Sequence, residues 1–258
     1  MAEIKSGRKA ADVKLFIAMP AMDHRNHCLT TGALLDTQAA MLAAGIPHTP
    51  HVHFLMQDGN IPFARNRAVA YFLQTDCTDL IFVDSDIYWD TKSFMRLICH
   101  PVDVVGATYR QKIQNPISGE LITKYAIDFL PEVNGEYNGS DPETGLLEVK
   151  RLPTGFLRIT RKAIQRMINE CDVVEFEIDD AGKPLTLHRL FSFDYVDKQE
   201  VSEDYRFCDR WRSIGGKVWC DPELKINHIG VATFAGHFGQ FMRDIVLVHK
   251  AQTLEAAE

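Results

Sequence analysis

Three places in this chain put acidic or metal-competent side chains where they can do chemistry. In LIFVDSDIYW (80 to 89), a strand-forming run drives directly into Asp84, Ser85 and Asp86. In an extended chain, side chains at i and i+2 project to one face. Two carboxylates placed that way repel unless a cation or hydrogen-bond donors stand between them. Glu203-Asp204 is a second acidic pair, and His228 closes a short apolar run. Carboxylates with an imidazole suit an octahedral divalent ion, Mn²⁺ or Mg²⁺. A carboxylate beside a hydroxyl can take its proton. Each feature also has a plain structural explanation. Asp84 could cap the next helix, and His228 could be satisfied at a strand end. Acids in a first helical turn are favoured by about 0.3 to 1 kcal/mol without any function.

The elements that position these residues follow from periodicity and punctuation. VKLFIAMP (13 to 20) reads as a buried strand ending at Pro20, and TTGALLDTQAAMLAAGI (30 to 46) as a helix stopped by Gly45. HVHFLMQ (51 to 57) is a strand, Asp58-Gly59 a turn, and Pro62 opens the helix IPFARNRAVAYFLQ. DLIFV, a helix from Thr91 to Cys99 and the strand DVVGATY (103 to 109) complete the first half. Strand alternating with helix predicts a parallel α/β sheet with helices on both faces. Ligands gather beyond the carboxyl ends of such strands, where Pro20, Asp84 and Asp86 fall.

The second half begins with a turn-rich loop, GEYNGSDPETG (135 to 145). RLPTGFLRIT (151 to 160) is extended around Gly155, and Thr160 caps a helix. IDDAGKPLTLHRLFSF has a turn between two extended runs. SEDYRFCDRWRSIGG (202 to 216) is a helix with Ser202 as its cap, and KVWCDPELKINHIG (217 to 230) holds two short strands about a Pro turn. The expected organisation is a loose leader over 1–12, a single domain over 13–235 and a helical tail over 236–258.

Composition narrows the function classes. With 258 residues, 46% hydrophobic content and a net charge of −7, the chain does not coat nucleic acid through bulk charge. Lys150 to Arg166 carries six basic residues and no acid. Such a run is a solvated face or a seat for an anionic partner. The six cysteines form no C-x-x-C pair, which fits reduced thiols in a cytosol. The polar N-terminus is no secretory signal. No apolar run reaches the ~20 residues needed to span a bilayer. A soluble cytoplasmic protein is expected.

The order ARNRAVAYFL, the strand-end D-x-D, LPTGFLRIT, and then SEDYRFCDRW…GGKVWCDPELKINHIG resembles the GT-A glycosyltransferases, especially family-2-like and mannosyltransferase-like members. The resemblance covers about residues 13 to 230, except 111–150 and 172–201. It implies a GT-A, Rossmann-like nucleotide-diphospho-sugar transferase fold, with a mostly parallel sheet flanked by helices. It also implies a metal-dependent, inverting transfer of a sugar from a UDP- or GDP-sugar to an acceptor hydroxyl on a glycan, a lipid-linked sugar or another compound.

By that resemblance Asp86 and His228 hold Mn²⁺ or Mg²⁺, and Asp84 shares the ion or holds the ribose. Asp204 is the base, with Glu203 orienting the acceptor. Arg65, Asn66, Ser85, Thr154 and Gly155 bind the donor, Pro20 lines the nucleobase, and His237 contacts the diphosphate. The alternatives are a nucleotide-sugar-binding scaffold without turnover and a transferase acting on hydroxylated bases of nucleic acid. A phosphohydrolase is disfavoured because Ile87-Tyr88-Trp89 offers no Thr after the second Asp. A sugar nucleotidyltransferase is disfavoured because MPAMDHRN stands where its glycine-rich loop would be.

Overall fold

The computed structural model describes residues 7–21, 24–46, 50–56, 59–115, 118–131, 140–196, 198–230 and 233–255. Residues 1–6 of the expected leader, Asp58, residues 135–139 of the expected loop and the last three residues of the tail lie outside the described residues.

The first half runs β1 (Leu15–Ala21), α1 (Cys28–Ala43), β2 (His51–Met56), α2 (Ile61–Leu73), β3 (Asp79–Val83), β4 (Ile87–Trp89), α3 (Thr91–Cys99) and β5 (Val104–Gly106). The second half runs β6 (Leu147–Val149), β7 (Phe156–Thr160), α4 (Arg161–Glu170), β8 (Glu175–Asp180), β9 (Lys183–His188), β10 (Asp194–Val196), β11 (Gln199–Val201), α5 (Glu203–Ser213), β12 (Val218–Cys220), β13 (Ile226–Ile229), β14 (Thr233–Phe234) and α6 (Phe238–Glu255).

Helix starts follow local chemistry. Orphan N–H groups in the first turn need acceptors. Asn60 Oδ1 accepts from Phe63 N at 3.1 Å, Asp90 Oδ1 from Ser93 N at 2.7 Å, and Thr160 Oγ1 from Ala163 N at 3.2 Å. Asp90, and not Asp84, therefore caps α3. After α1 the chain turns through Gly45 at φ +67°, a left-handed conformation that glycine adopts without a Cβ penalty.

Among the described residues the main sheet has the order β2-β1-β3-β7-β5-β12-β6. β1 runs parallel to β2 and β3, and β5 parallel to β12. β7 is antiparallel to both β3 and β5, and β6 antiparallel to β12. The sheet is mostly parallel, as expected. β3 and β5, both from the first half, are separated by β7, a strand from the second half.

Alternate residues of the strands enter different layers. Phe16, Leu80 and Phe82 pack with α2, α4 and α5, whereas Ile17, Ile81 and Val83 pack with α1 and α3. Burial on both faces explains why β3 is a continuous apolar run after its first residue. That residue, Asp79, is fully buried between Arg8, at 2.6 and 2.9 Å, and Arg158, at 2.9 Å. The leader is thereby tied to the amino end of the strand.

Three short features complete the fold, of which the sequence predicts the turn between β8 and β9. β4 pairs with β13 in a three-stranded sheet, β14-β13-β4, with His228 opposite Ile87. Residues 172–201 contribute the hairpins β8–β9 and β10–β11. Residues 110–115 and 118–125 fold back on each other as an arm held by bridges Arg110↔Tyr125 and Gln114↔Leu121. None of the helices searched among the described residues is long and apolar enough to cross a membrane.

Candidate active site

The Asp84-Ser85-Asp86 turn is held at each residue by a different part of the chain. Asp84 N donates to Gly155 O at 3.0 Å, His27 N donates to Ser85 O at 3.0 Å, and Ile229 N donates to Asp86 O at 2.8 Å. Ile87 N also bonds back to Asp84 O at 3.1 Å, closing a turn. This corrects one expectation. The segment is not extended, so the two carboxylates do not stand side by side and instead meet different partners.

Asp84 faces a buried network. Arg65 Nη2 donates to Asp84 Oδ1 at 3.2 Å, and Arg65 Nε to Glu203 Oε1 at 3.2 Å. Tyr109 Oη lies 3.5 Å from Asp84 Oδ2. Burial opposes the charge on Arg65, yet Asp84, Glu203 and Asp204 together hold its pKa above the ordinary value. Burial pushes the Glu203 carboxyl up against the pull of Arg65, and pushes the Tyr109 phenol well up with help from Asp84. Tyr109 is thus neutral at physiological pH. Gly155 leaves the room this cluster needs, since a Cβ there would lie 2.3 Å from Tyr109 Oη and 2.5 Å from Asp84 Oδ2.

Asp86 has other partners. His228 Nε2 is 3.5 Å from Asp86 Oδ1, and the Lys112 ammonium donates to Oδ2. His228 Nδ1 is 3.0 Å from Arg110 O. A carbonyl only accepts, so Nδ1 carries a proton, and the bond directs Nε2 at Asp86 Oδ1. Burial pushes the Asp86 carboxyl up, but His228 and Lys112 overcome it and hold its pKa below the ordinary 3.8. The Tyr109 ring packs edge-on against His228, centroids 4.9 Å apart, so one side chain joins the two halves.

The acidic pair opens α5. Ser202 occupies the cap position without making a side-chain cap bond. Its hydroxyl donates instead to Asp204 Oδ1, which also accepts from Tyr205 N at 2.8 Å. Asp204 is half-buried, whereas Glu203 is buried against Arg65.

The remaining candidates are distributed as follows. Pro20 sits near the carboxyl end of β1, opposite Leu55. Thr154 is fully buried and its Oγ1 has no partner among the described residues. Asn66 is buried, its amide pairing both ways with the backbone of Phe191 at 2.8 and 3.0 Å, and acts as a tether between α2 and that loop. His237 lies away from the turn. It accepts from Gln240 N at 3.1 Å at the start of α6, and its Nε2 is 3.7 Å from Glu223.

The arginines of the basic run are engaged internally. Arg151 binds Asp209 and Asp128, Arg158 binds Asp79, Arg161 binds the carbonyls of Phe72, Thr75 and Cys77, and Arg166 binds Glu170. They do not form a free seat for an anionic acceptor. Sequence reasoning missed Tyr109 and Lys112. A signal existed for Tyr109, which follows a strand end as the two aspartates do.

Asp86 and His228 fit a divalent ion by donor type and by the orientation of the imidazole. Among the described residues no group of three or more His, Cys, Asp or Glu is gathered as a metal cluster. Asp86 and His228 would then supply two ligands, and Asp84 is engaged by Arg65 and Tyr109.

No protein-family model matches the sequence, and neither does any curated protein. Among solved structures, the chain is similar to A197 from STIV at 16% identity, with a TM-score of 0.47, over 84% of this chain and 86% of that one. It is also similar to GalNAc-T7 with UDP, GalNAc and Mn²⁺ at 12% identity, with a TM-score of 0.38. That match covers 84% of this chain and 44% of the other, so this chain spans less than half of it. The mostly parallel sheet between two helical layers is a Rossmann-like α/β arrangement, consistent with a GT-A fold.

Proposed function

We propose that the chain is a metal-dependent glycosyltransferase, moving a sugar from a nucleoside diphosphate sugar to an acceptor hydroxyl with inversion at the anomeric carbon. One observation carries the reading. Arg65 connects Asp84, at the end of β3, to Glu203, at the start of the helix that bears Asp204. A strand-end donor site and a general base thereby belong to one network.

Mn²⁺ or Mg²⁺ held by Asp86 and His228 would supply Lewis-acid neutralisation of the leaving diphosphate, typically worth several kcal/mol. Asp204 takes the acceptor proton as attack proceeds, with one oxygen fixed by Ser202 and Tyr205 N. Glu203, buried on Arg65, positions the acceptor side. Asp84, Ser85 and Arg65 receive the ribose and diphosphate, Thr154-Gly155 the donor sugar, and Pro20 the UDP or GDP base. A glycan, a lipid-linked sugar or another hydroxyl compound is the acceptor.

The test is nucleotide release from UDP-, GDP- and CMP-sugars with Mn²⁺, each repeated in EDTA. Slow hydrolysis of one donor, stopped by the chelator, supports the reading and names the donor. If no donor binds or turns over, the reading falls. Binding without turnover on any acceptor favours a scaffold that has lost catalysis.

A further inference from the structure

We propose that Lys112 is a built-in counter-cation. It holds Asp86 in the donor-free protein, must leave before a divalent ion binds there, and then turns to the donor diphosphate. The inference rests on reading Asp86 and His228 as metal ligands, and it adds how that site is kept before it is loaded.

The two oxygens of Asp86 are taken by different groups, Oδ1 facing His228 and Oδ2 receiving the Lys112 ammonium. A positive charge therefore already neutralises the carboxylate that a metal ion would need. The same stretch of chain prepares both partners. Arg110 O fixes the imidazole through Nδ1, and Lys112 follows two residues later on the same arm. The lysine stem runs over Gly230, immediately after the strand that carries His228. A Cβ added at Gly230 would stand 3.0 Å from Lys112 Cδ.

The pair is built to exchange. Lys112 and Asp86 are about a third exposed, at 33% and 38%, and ion pairs so placed are weakly held. Lysine is a compact charge on a flexible four-carbon stem that can move without disturbing the backbone. A dication attracts the carboxylate twice as strongly as an ammonium at equal distance. Once displaced, the ammonium remains beside a site that the proposed reaction fills with negative charge.

The experiment compares wild-type chain with Lys112→Met and Lys112→Arg. Mn²⁺ binding is followed without nucleotide by the electron paramagnetic resonance signal of the free ion. Binding of UDP or GDP, whichever the wild type binds more tightly, is then measured in saturating Mn²⁺. Lys112→Met is expected to tighten Mn²⁺ roughly tenfold, because no ammonium need be displaced, and to weaken nucleotide roughly tenfold. Lys112→Arg restores nucleotide affinity. These opposite signs are the signature, since a passive surface pair would leave nucleotide binding unchanged.

If Mn²⁺ binds wild type and Lys112→Met equally, the inference is overturned while the metal site stands. Tighter Mn²⁺ binding with unaltered nucleotide binding overturns it as well. If Mn²⁺ binds neither chain, the metal reading itself falls and takes the inference with it. Asp86→Asn, expected to abolish Mn²⁺ binding in both backgrounds, identifies the site being read.

Discussion

Arg65 Nε donates to Glu203 Oε1 at 3.2 Å across 138 positions of sequence. Both side chains are buried, at 4% and 8% exposure. The carboxylates around that guanidinium offset the cost of burying its charge. The guanidinium therefore fixes the start of α5 relative to the end of β3, and with it the distance between the donor side and the proposed base.

Replacing Arg65 by Met leaves Glu203 and Asp84 without their shared cation. Removing one partner of a buried ion pair costs about 3 to 5 kcal/mol, and that loss is the expected outcome in urea unfolding. A change below 1 kcal/mol would show that the network holds nothing together.

Asp204→Asn removes the proposed base and keeps the shape. Turnover should fall roughly 10²- to 10⁴-fold, with the donor dissociation constant unchanged. Glu203→Gln should act differently, reducing turnover less. Equal losses in both would remove the distinction between base and positioning residue.

Gly155→Ala puts a methyl group into the space used by Tyr109 Oη and Asp84 Oδ2. The expected result is lower donor affinity and a stability loss of about 1 to 3 kcal/mol from overpacking. Adding Tyr109→Phe should restore only part of it, because the Asp84 contact at 2.5 Å remains. Full rescue would place the clash on the phenol alone.

Asp221 predicts a pH dependence. Its carboxylate is fully buried, which raises its pKa, but His100 Nε2 at 2.7 Å and Arg96 Nε at 2.5 Å pull it below the ordinary 3.8. The folded chain thus binds this proton more weakly than the unfolded chain. The resulting stability is present above pH 3.8 and is lost as pH falls through the lower folded value. Denaturant titrations should show a flatter acid limb for Asp221→Asn than for wild type.

What the sequence made legible was local. DLIFV announces a buried strand by its unbroken apolar run, and the aspartates at its end inherit that position. Ser202 as a cap places Glu203 and Asp204 at a helix start, and α5 begins there. What stayed hidden was long-range or too short to show a period. β4 has three residues and takes its identity from pairing with β13. Lys112 stands in a stretch with no periodicity, and only the folded arm brings it to Asp86. The Ser202 hydroxyl gives no sign in sequence that it serves Asp204 in place of an N–H of the first turn. The basic run looked like a surface because charge is visible in a sequence, whereas the partners that neutralise it are not.

The place of β7 sets an order on synthesis. β2, β1 and β3 are complete once residue 83 has been made, but the strand that pairs with the free side of β3 is Phe156–Thr160. Until it arrives, an apolar strand presents open N–H and C=O groups, a template for pairing with other chains. Fragments ending between 84 and 155 should therefore aggregate instead of persisting as half a sheet, as sedimentation of such truncations would show. The centre of this sheet stays open until β7 has been made.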